Sequence, residues 1–436
     1  MTHRWLAYTP LVALMVAACG AQSSLPEKEG FGADPTLPEA RQQKMPLVKI
    51  APVVGWPEGQ APVPAEGLQV KAFAKDLVHP RWLYELPNGD VLVAESDAPP
   101  KPEGKKGGLR GWVQGLVMKR AGSGTPSADR ITLLRDADKD GVAETRSLLL
   151  ENLTSPFGMA LVGDRLYVAN ADAVVAYPYQ TGQTQISAPA EQIVDLPAER
   201  NHHWTKSMVA SPDGTKLYVG VGSNSNVAEH GMDEEVDRAA ILEITIANRA
   251  KRVFASGLRN PVGMDWNPED GRLWVAVNER DEIGNDLVPD YMTSVVDGGF
   301  YGWPWSYYGQ TVDTRVKPAR PDMVAKALRP DFALGAHTAS LGLGFYRGSL
   351  IPQWQNGVLI GQHGSWNRNP PVGYKVIFIP FTNGKPSGPP RDVLTGFRNN
   401  RGQALGRPVG VIGLQSGAVL VADDAGNRVW HLSPKG

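Results

Sequence analysis

The chain has 436 residues, of which 42% are hydrophobic and 20% are charged, with a formal net charge of −1. This balance provides no basic surface field, so the composition argues against a nucleic-acid-binding protein. The length exceeds that of a usual single domain, and a repeat architecture is one way for such a length to remain one unit.

The first 18 residues have the pattern of a secretory signal. Arg4 precedes an apolar run over residues 5–18 that is too short to span a membrane. The run closes with "VAAC", which resembles the bacterial lipobox, and Cys19 is the only cysteine of the chain. A lone thiol forms no internal disulfide. We therefore expect a signal peptide over 1–18 and lipidation at Cys19 in a membrane-anchored periplasmic protein; the alternative is an ordinary secreted protein with an incidental cysteine.

Residues 20 to about 65 are rich in Pro, Gln, Glu and Ala and show no apolar periodicity. This composition predicts a flexible tether over 19–65 that holds a folded domain, 66–436, off the membrane.

One hairpin pattern recurs six times in the folded part: an alternating strand, a turn rich in Pro, Asn, Asp and Gly, and a second β-rich strand. The copies lie at 79–96, 155–179, 202–224, 260–282, 340–365 and 406–432. Gly and Asn accept the positive φ that tight hairpin turns require. The repeats predict an all-β protein, a six-bladed β-propeller with four-stranded blades. A pair of β-sandwiches is the main alternative, but it does not explain one hairpin type recurring.

The segment "DADKDGVAE", residues 136–144, begins like a calcium-binding loop. Asp136, Asp138 and Asp140 alternate, and Gly141 stands where such a loop turns sharply. The twelfth position is Ser147, where an EF-hand has a bidentate Glu. The pattern predicts either a structural calcium turn between blades or a plain acidic hairpin.

In a propeller, the segments that precede the innermost strands converge on the axis at one face. Here they are His79-Pro80-Arg81, His202-His203, Arg259-Asn260-Pro261, His337 and Arg407. Arg and His rarely recur at one structural position for packing reasons. The recurrence therefore predicts a functional site at this end of the axis.

Several segments resemble the quinoprotein glucose/sorbosone dehydrogenase family. They are "NHHWTKSMVASPDGTKLYVGVGSNSN", "GLRNPVGMDWNP", "NERDEIGNDLVPDY", "GGFYGWPW", "GQHGSWNRNPPVGYKVIFIPF" and "GRPVGV". The family consists of six-bladed propellers that use pyrroloquinoline quinone (PQQ) and Ca²⁺. The resemblance extends from about residue 66 to the C-terminus and is greatest to the L-sorbosone dehydrogenase branch. "GGFYGWPW" either lines the pocket or packs loops together.

The resemblance implies roles for individual residues. The family's general base matches His203, and its arginine beside the quinone matches Arg259, with Asn260 nearby. A histidine near its ordinary pKa of ~6.5 can take the hydroxyl proton as hydride leaves carbon, and a cation stabilises the charge that develops on the quinone oxygen. The cofactor carries three carboxylates, so Arg368 and Arg407 are further binding candidates.

The chain also departs from the glucose-oxidising members. Ser223 stands where they place the aspartate that orients the base, and His202 or Asn224 is a candidate substitute. Val409 replaces a second arginine of the last blade, and a cofactor-contacting lysine has no clear match. Where those members bind Ca²⁺ through backbone carbonyls, the chain has an acidic stretch. Its candidate ligands are Glu279, Asp281, Glu282 and Asp286.

The expected function is PQQ-dependent oxidation of an aldose or ketoaldose, sorbosone-like, at its aldehyde-level carbon. The chain has no haem attachment motif, so electrons would pass to a separate acceptor such as a respiratory quinone or a cytochrome. Two alternatives remain: a calcium-dependent six-bladed lactonase or esterase, and a non-catalytic propeller of the cell envelope. The lactonase would need several carboxylates at an axial metal and no cationic cradle.

Overall fold

The computed structural model describes residues 22–42, 48–100 and 124–436. Six sheets of four to six strands and one two-stranded ribbon account for the strands of these residues. The predicted six-bladed β-propeller is confirmed. Cys19 and the predicted signal over 1–18 lie outside the described residues.

Strands β1 (Phe31–Gly32), β2 (Val63–Pro64) and β3 (Leu68–Ala74) precede the repeats. Each blade then takes its strands in chain order, from the axis outward. Blade 1 has β4 (Pro80–Glu85), β5 (Val91–Glu95), β6 (Arg130–Arg135) and β7 (Thr145–Leu150), and blade 2 has β8 (Gly158–Val162), β9 (Arg165–Ala169), β10 (Ala173–Pro178) and β11 (Glu191–Asp195). Blade 3 has β12 (Met208–Ala210), β13 (Lys216–Val221), β14 (Ala240–Thr245) and β15 (Lys251–Ser256).

Blades 4 and 5 carry additions to the same plan. Blade 4 has β16 (Pro261–Trp266), β17 (Leu273–Val277), β18 (Pro289–Ser294) and β21 (Phe332–Ala336). Between β18 and β21 the chain forms the two-stranded ribbon of β19 (Ser306–Tyr307) and β20 (Thr311–Val312) and the short helix α1 (Pro321–Val324). Blade 5 has β22 (Ser340–Phe345), β23 (Gly357–Gln362), β24 (Lys375–Thr382), the side strand β25 (Lys385–Pro386) and β26 (Arg391–Thr395). Blade 6 has β27 (Pro408–Gly413), β28 (Val419–Asp423) and β29 (Arg428–Pro434). The six predicted hairpins form the inner strands of the six blades.

The two ends of the propeller sequence close the ring. Strand β3 pairs antiparallel with β29, with Ala72 opposite Trp430, and so becomes the outermost strand of blade 6. Strands β1 and β2 extend the outer edges of blades 4 and 5 by pairing with β21 and β26. Blade 6 therefore depends on contacts between distant parts of the chain.

The segment that the composition predicts as a tether packs, in its described parts 22–42 and 48–65, against the propeller. Ala51 is fully buried, and the indole of Trp56 donates a hydrogen bond of 2.6 Å to Asp423 Oδ2. Because β1 and β2 also join blade edges, this segment is docked where the sequence suggested a free linker. No helix among the described residues is long and apolar enough to cross a membrane.

Glycines let the innermost strands approach one another at the axis. A Cβ on Gly263 would lie 2.3 Å from the backbone nitrogen of Leu343, and one on Gly342 would lie 2.1 Å from the carbonyl oxygen of Val409. The repeated "VGM", "LGL" and "VGV" patterns thus mark strand contacts that admit no side chain. One apolar side chain from each blade fills the space between these strands; we call this group the axial plug, and it consists of Trp82, Phe157, Trp204, Val262, Leu341 and Val409.

Candidate active site at the propeller axis

Polar side chains gather at one end of the axial plug. Two kinds of connection bring them there: those that precede the innermost strands and those that follow the second strands, because strands of an antiparallel blade alternate in direction. The first kind carries His79, His203, Arg259, His337 and Arg407, with Arg81 at the start of β4, and the second kind carries Asp281, His363, Asn367 and Asp424. We call this end the site face.

His203 is held by the backbone of the neighbouring strand end. Its Nδ1 lies 2.7 Å from the carbonyl oxygen of Ser223 and 3.1 Å from the Ser223 hydroxyl, which itself donates to Ser225 O at 2.6 Å. A carbonyl only accepts, so Nδ1 carries the hydrogen, and the neutral ring keeps its lone pair on Nε2. The backbone carbonyl of Ser223 therefore orients the ring.

The surroundings of His203 keep its ring neutral. Burial lowers the pKa of His203 well below its usual value, and the positive charge of Arg259 and the ring of His202 lower this pKa further. The two histidine rings meet edge to face with centroids 4.7 Å apart. A neutral imidazole with a free Nε2 can accept a proton near neutral pH.

Arg259 is buried and bound on several sides. Its Nη1 donates to Glu279 O at 2.7 Å, its Nη2 donates to Asn226 Oδ1 at 2.9 Å, and Nη2 lies 3.6 Å from Asp281 Oδ2. The next residue, Asn260, has a buried side-chain oxygen without a hydrogen-bond partner among the described residues. A Cβ on Gly222 would lie 2.4 Å from that oxygen and 2.5 Å from Cβ of His203, so a glycine is required for these two groups to approach.

Asp281 lies between two cationic groups. It accepts a hydrogen bond of 2.7 Å from Asn367 Nδ2, and His337 Nδ1 is 3.2 Å from its Oδ1. The other ring nitrogen of His337 is 2.8 Å from Gly284 O, so both nitrogens face acceptors and the ring is an imidazolium. Burial alone would lower the pKa of His337, but the hydrogen bond that His337 donates to Asp281 outweighs burial, and the pKa of His337 is raised. Burial alone would raise the pKa of Asp281, but the interactions with His337 and Arg259 lower it.

Asp424 forms a second buried ionic cluster at the axis, on the side of blades 5, 6 and 1. Its carboxylate lies 2.6 Å from Arg81 Nη1, 2.9 Å from His363 Nε2 and 3.6 Å from His79 Nε2. Burial by itself would raise the pKa of Asp424, but His363 and His79 bring this pKa well below its usual value. Burial lowers the pKa of His363 to about 4. Neither His363 nor Asp424 was predicted from the sequence, although each directly follows the second strand of its blade.

Arg407 and Arg81 present guanidinium groups that the protein only partly satisfies. Arg407 Nη2 donates to the hydroxyl of Tyr374 at 3.2 Å, and the guanidinium carbon lies 5.1 Å from the centre of the Tyr374 ring. The guanidinium carbon of Arg81 lies 5.7 Å from the centre of the ring of Trp204, a member of the axial plug. The Nε atoms of both arginines, like Oδ1 of Asn367, are buried and have no hydrogen-bond partner among the described residues.

The other residues that the sequence predicts as cofactor or calcium ligands make contacts of their own within the protein. Arg368 donates to Asn285 O at 2.9 Å and to Asp286 Oδ1 at 2.9 Å, so both it and Asp286 are engaged away from Arg407 and Arg259. Glu279 pairs with Arg280 at 2.9 Å. Glu282 lies in the connection from β17 to β18 and has a left-handed backbone conformation, with a φ of 75°. The acidic stretch 279–286 therefore contributes Asp281 to the axis and does not bring its carboxylates together.

One group of carboxylates in the described part of the chain has ligand atoms within 4.8 Å of one another: Asp136, Asp138, Asp140 and Glu144. It lies in the connection from β6 to β7, at the face opposite the site. Gly141 has a φ of 89°, and a Cβ there would lie 2.7 Å from His431 Nδ1. Glu144 was not predicted from the sequence. The predicted calcium residues Asp136, Asp138 and Asp140 are thus close together but remote from the axial residues.

The aromatic segment "GGFYGWPW" packs under the loop that holds Arg259. The indole of Trp303 donates to Asn226 O at 3.0 Å, and Trp303 is 3% exposed. Asn226 in turn binds Arg259. This segment therefore packs loops together and helps to position Arg259 through Asn226.

Comparisons with known proteins agree with this fold. A family model described as TrAA12-like matches residues 127–293 and 315–435, more than half of the chain. An uncharacterized protein of Borreliella burgdorferi is 26% identical over 297 residues, 65% of this chain and 77% of its own. The holo form of the pyranose dehydrogenase PQQ domain from Coprinopsis cinerea has a TM-score of 0.69 at 20% identity and covers 88% of this chain and 100% of its own. The PQQ-bound aldose sugar dehydrogenase of Streptomyces coelicolor has a TM-score of 0.55 at 16% identity and covers 86% of this chain and 100% of its own.

Proposed function

The chain belongs to the TrAA12-like family, and from this membership and the axial site we propose that it is a PQQ-dependent oxidoreductase of sugars. The observation that carries the proposal is the meeting of an oriented neutral histidine, His203, with the buried cation Arg259 at one end of the axis. The structures of similar fold that bind PQQ, the pyranose dehydrogenase domain and the aldose sugar dehydrogenase, support the choice of cofactor and of substrate class.

The unsatisfied polar atoms of the site fit a ligand that carries both carboxylates and N–H or O–H groups. Among the described residues, Arg81 Nε and Arg407 Nε are unpaired donors that suit carboxylates, whereas the side-chain oxygens of Asn260 and Asn367 are unpaired acceptors that suit an N–H or O–H of the ligand. Buried polar groups are normally hydrogen-bonded, so a set of unsatisfied ones at one place indicates a ligand. Arg81, Arg407 and Asn260 would hold PQQ, and the Arg407 guanidinium suits one of its carboxylates. Arg368 is not included, because Asp286 already binds it.

When bound, PQQ supplies a two-electron acceptor for hydride. His203 takes the proton from the substrate hydroxyl at Nε2, because its Nδ1 hydrogen is committed to the carbonyl of Ser223. Arg259 provides a fixed positive charge at the site, and its bonds to Glu279 O and Asn226 prevent reorientation during the reaction. His337 stays protonated beside Asp281 and so supports Arg259 indirectly.

Calcium does not fit the axial carboxylates as they stand. Asp281 and Asp424 are each surrounded by arginine or histidine. The one close group of carboxylates in the described residues is at the opposite face. The same observation counts against a calcium-dependent lactonase, which needs such a group at the axis.

An aldose or ketoaldose oxidised at its aldehyde-level carbon remains our proposed substrate, and a sorbosone-like sugar is the narrowest form of this proposal. Oxidation of a hydrated aldehyde or hemiacetal releases one hydroxyl proton and one hydride, which match the roles of His203 and the cofactor. The electrons then pass to a separate acceptor, a respiratory quinone or a cytochrome. We also propose that Cys19 carries a lipid that anchors the protein to the periplasmic side of a membrane.

The test uses the full-length protein purified in detergent. PQQ is titrated with and without Ca²⁺, and dye reduction is followed with a panel of aldoses, ketoaldoses and simple aldehydes. We expect saturable PQQ binding and sugar-dependent dye reduction. Absence of both would refute the proposal, and PQQ binding without turnover on any sugar would restrict the protein to a binding role.

A further inference from the structure

The first described residues of the chain are fastened to the site face. Ser23 N donates to Asn369 O at 2.8 Å, and the Ser23 hydroxyl accepts from Arg368 Nη2 at 2.7 Å and donates to Asp286. Ser24 N donates to Asp286 Oδ2 at 2.8 Å. We call these five residues the Ser23 latch.

The charged pair of the latch is largely shielded from water. The side chains of Arg368 and Asp286 are 6% and 8% exposed, and their charges meet at 2.9 Å. Charge-assisted hydrogen bonds in such surroundings are stronger than those at an open surface. The latch connections follow the second strands of blades 4 and 5, and the same connections carry Asp281, His363 and Asn367.

The chain stays on this side of the molecule after the latch. Strand β1 pairs with β21 at the edge of blade 4, Arg41 N donates to Ile283 O at 3.0 Å, and Lys49 N donates to Trp366 O at 2.7 Å. Several independent contacts therefore fix the chain leading back toward Cys19 over blades 4 and 5.

The reach from the latch to Cys19 is short. Four residue steps separate Cys19 from Ser23, and four fully extended residues span at most ~14 Å. A free tether over 19–65 would have a root-mean-square length of about 35–40 Å and would let the propeller turn in any direction. With the latch closed, the anchor cannot be far from the site face.

We propose that the site face is an interaction surface for a lipid bilayer, with the edge formed by blades 4 and 5 nearest to the lipid headgroups. The proposal rests on the lipid anchor at Cys19 proposed above and not on the redox activity. Blades 1 and 2 lie across the axis from the latch, so their side of the site stays open to soluble sugars. The carboxylate group at Asp136 faces away from the membrane.

Two single substitutions test this orientation. Arg401, in the connection from β26 to β27, is exposed at the site face, and Asp213, in the turn from β12 to β13, is exposed at the opposite face. Cys19 is the only native cysteine, and its thiol is blocked when lipidated, so R401C and D213C can each carry one fluorophore. The two labels are separated by at least the ~17–20 Å length of a strand.

The fully processed variants are reconstituted into phosphatidylcholine vesicles that contain a headgroup-linked quencher. We expect the R401C label to be quenched at least twofold more than the D213C label. Insertion of 20 Gly/Ser residues between Ala21 and Gln22 should abolish the difference. Equal quenching in the native-length chain, stronger quenching of D213C, or failure to associate with vesicles would overturn the proposal. Dye reduction by the same preparations in detergent reports the redox function separately.

Discussion

Replacing Asp281 by asparagine should expose the energetic role of the ion pairs behind the site. The side chain of Asp281 is 17% exposed and lies 3.6 Å from Arg259 and 3.2 Å from His337. Arg259 keeps its bonds to Glu279 O and Asn226 in the variant, whereas His337 loses the carboxylate that holds it protonated. Breaking a buried pair costs ~3–5 kcal/mol, and the partial exposure places D281N at the lower end, about 3 kcal/mol of unfolding free energy at pH 5.5.

The loss of unfolding free energy in D281N depends on pH. Because the pKa of His337 is raised on folding, its stabilisation is complete below the unfolded value of ~6.5 and disappears as the pH rises through the folded value. Because the pKa of Asp281 is lowered, its stabilisation is present above ~3.9 and disappears as the pH falls through the folded value. The deficit of D281N should therefore be greatest between about pH 4 and 6.5 and smaller at pH 9.

Urea unfolding of D281N and the native protein at pH 5.5, 7 and 9 measures these quantities. The control is Glu58→Gln, an exposed residue, for which we expect a change within ~0.5 kcal/mol at every pH. A deficit below 1 kcal/mol at pH 5.5 with D281N, or equal deficits at pH 5.5 and 9, would show that Asp281 and His337 do not form the ion pair described.

Further predictions concern the active site and the opposite face. H203A should lose ~10²–10⁴-fold in kcat while keeping its PQQ affinity within threefold. S223A should stay within threefold of the native kcat, because the backbone carbonyl that orients His203 remains. Equal losses of kcat in the two variants would show that the Ser223 hydroxyl orients the ring. In steady-state assays, kcat/KM of the native enzyme should fall on the acid side only below pH ~6.5, since burial lowers the pKa of His203; a fall beginning above pH 7 contradicts this. R407M should weaken PQQ binding at least tenfold in a fluorescence titration, and native affinity would remove Arg407 from the cofactor site. The double variant D136N/D138N should keep PQQ-dependent activity within twofold, and a large loss would link the opposite face to the site.

The propeller was predictable because each inner hairpin is a local feature. The turn residues and alternating strands of 79–96 or 260–282 fold within one short stretch, and six such stretches specify the ring. The docking of residues 22–42 and 48–65 was not predictable in this way. Many of its contacts join residues more than 240 positions apart, as in the pairing of Phe31 with Leu334, and a polar segment without periodicity gives no sign of its partner.

The sequence predicted only some of the residues of the candidate site, and the reason is again whether a residue lies in the repeated pattern. His203, Arg259 and Arg407 precede inner strands, so their position in the repeat was enough to bring them together. His363, Asn367 and Asp424 reach the same place through connections after second strands, whose lengths vary from blade to blade and hide any repeat. The Ser223 carbonyl that orients His203 is a backbone group, and no side-chain comparison could have revealed it.

The axial plug gives the site a single doorway. Six side chains, one from each blade, fill the centre of the ring directly beneath the polar cluster. Passage through the middle of the ring is thereby blocked. In the proposed reaction, the sugar, its oxidised product and the separate electron acceptor would therefore all reach the site from the site face. Sugar and acceptor would then compete for one entrance, and an excess of sugar would slow the reoxidation of the cofactor.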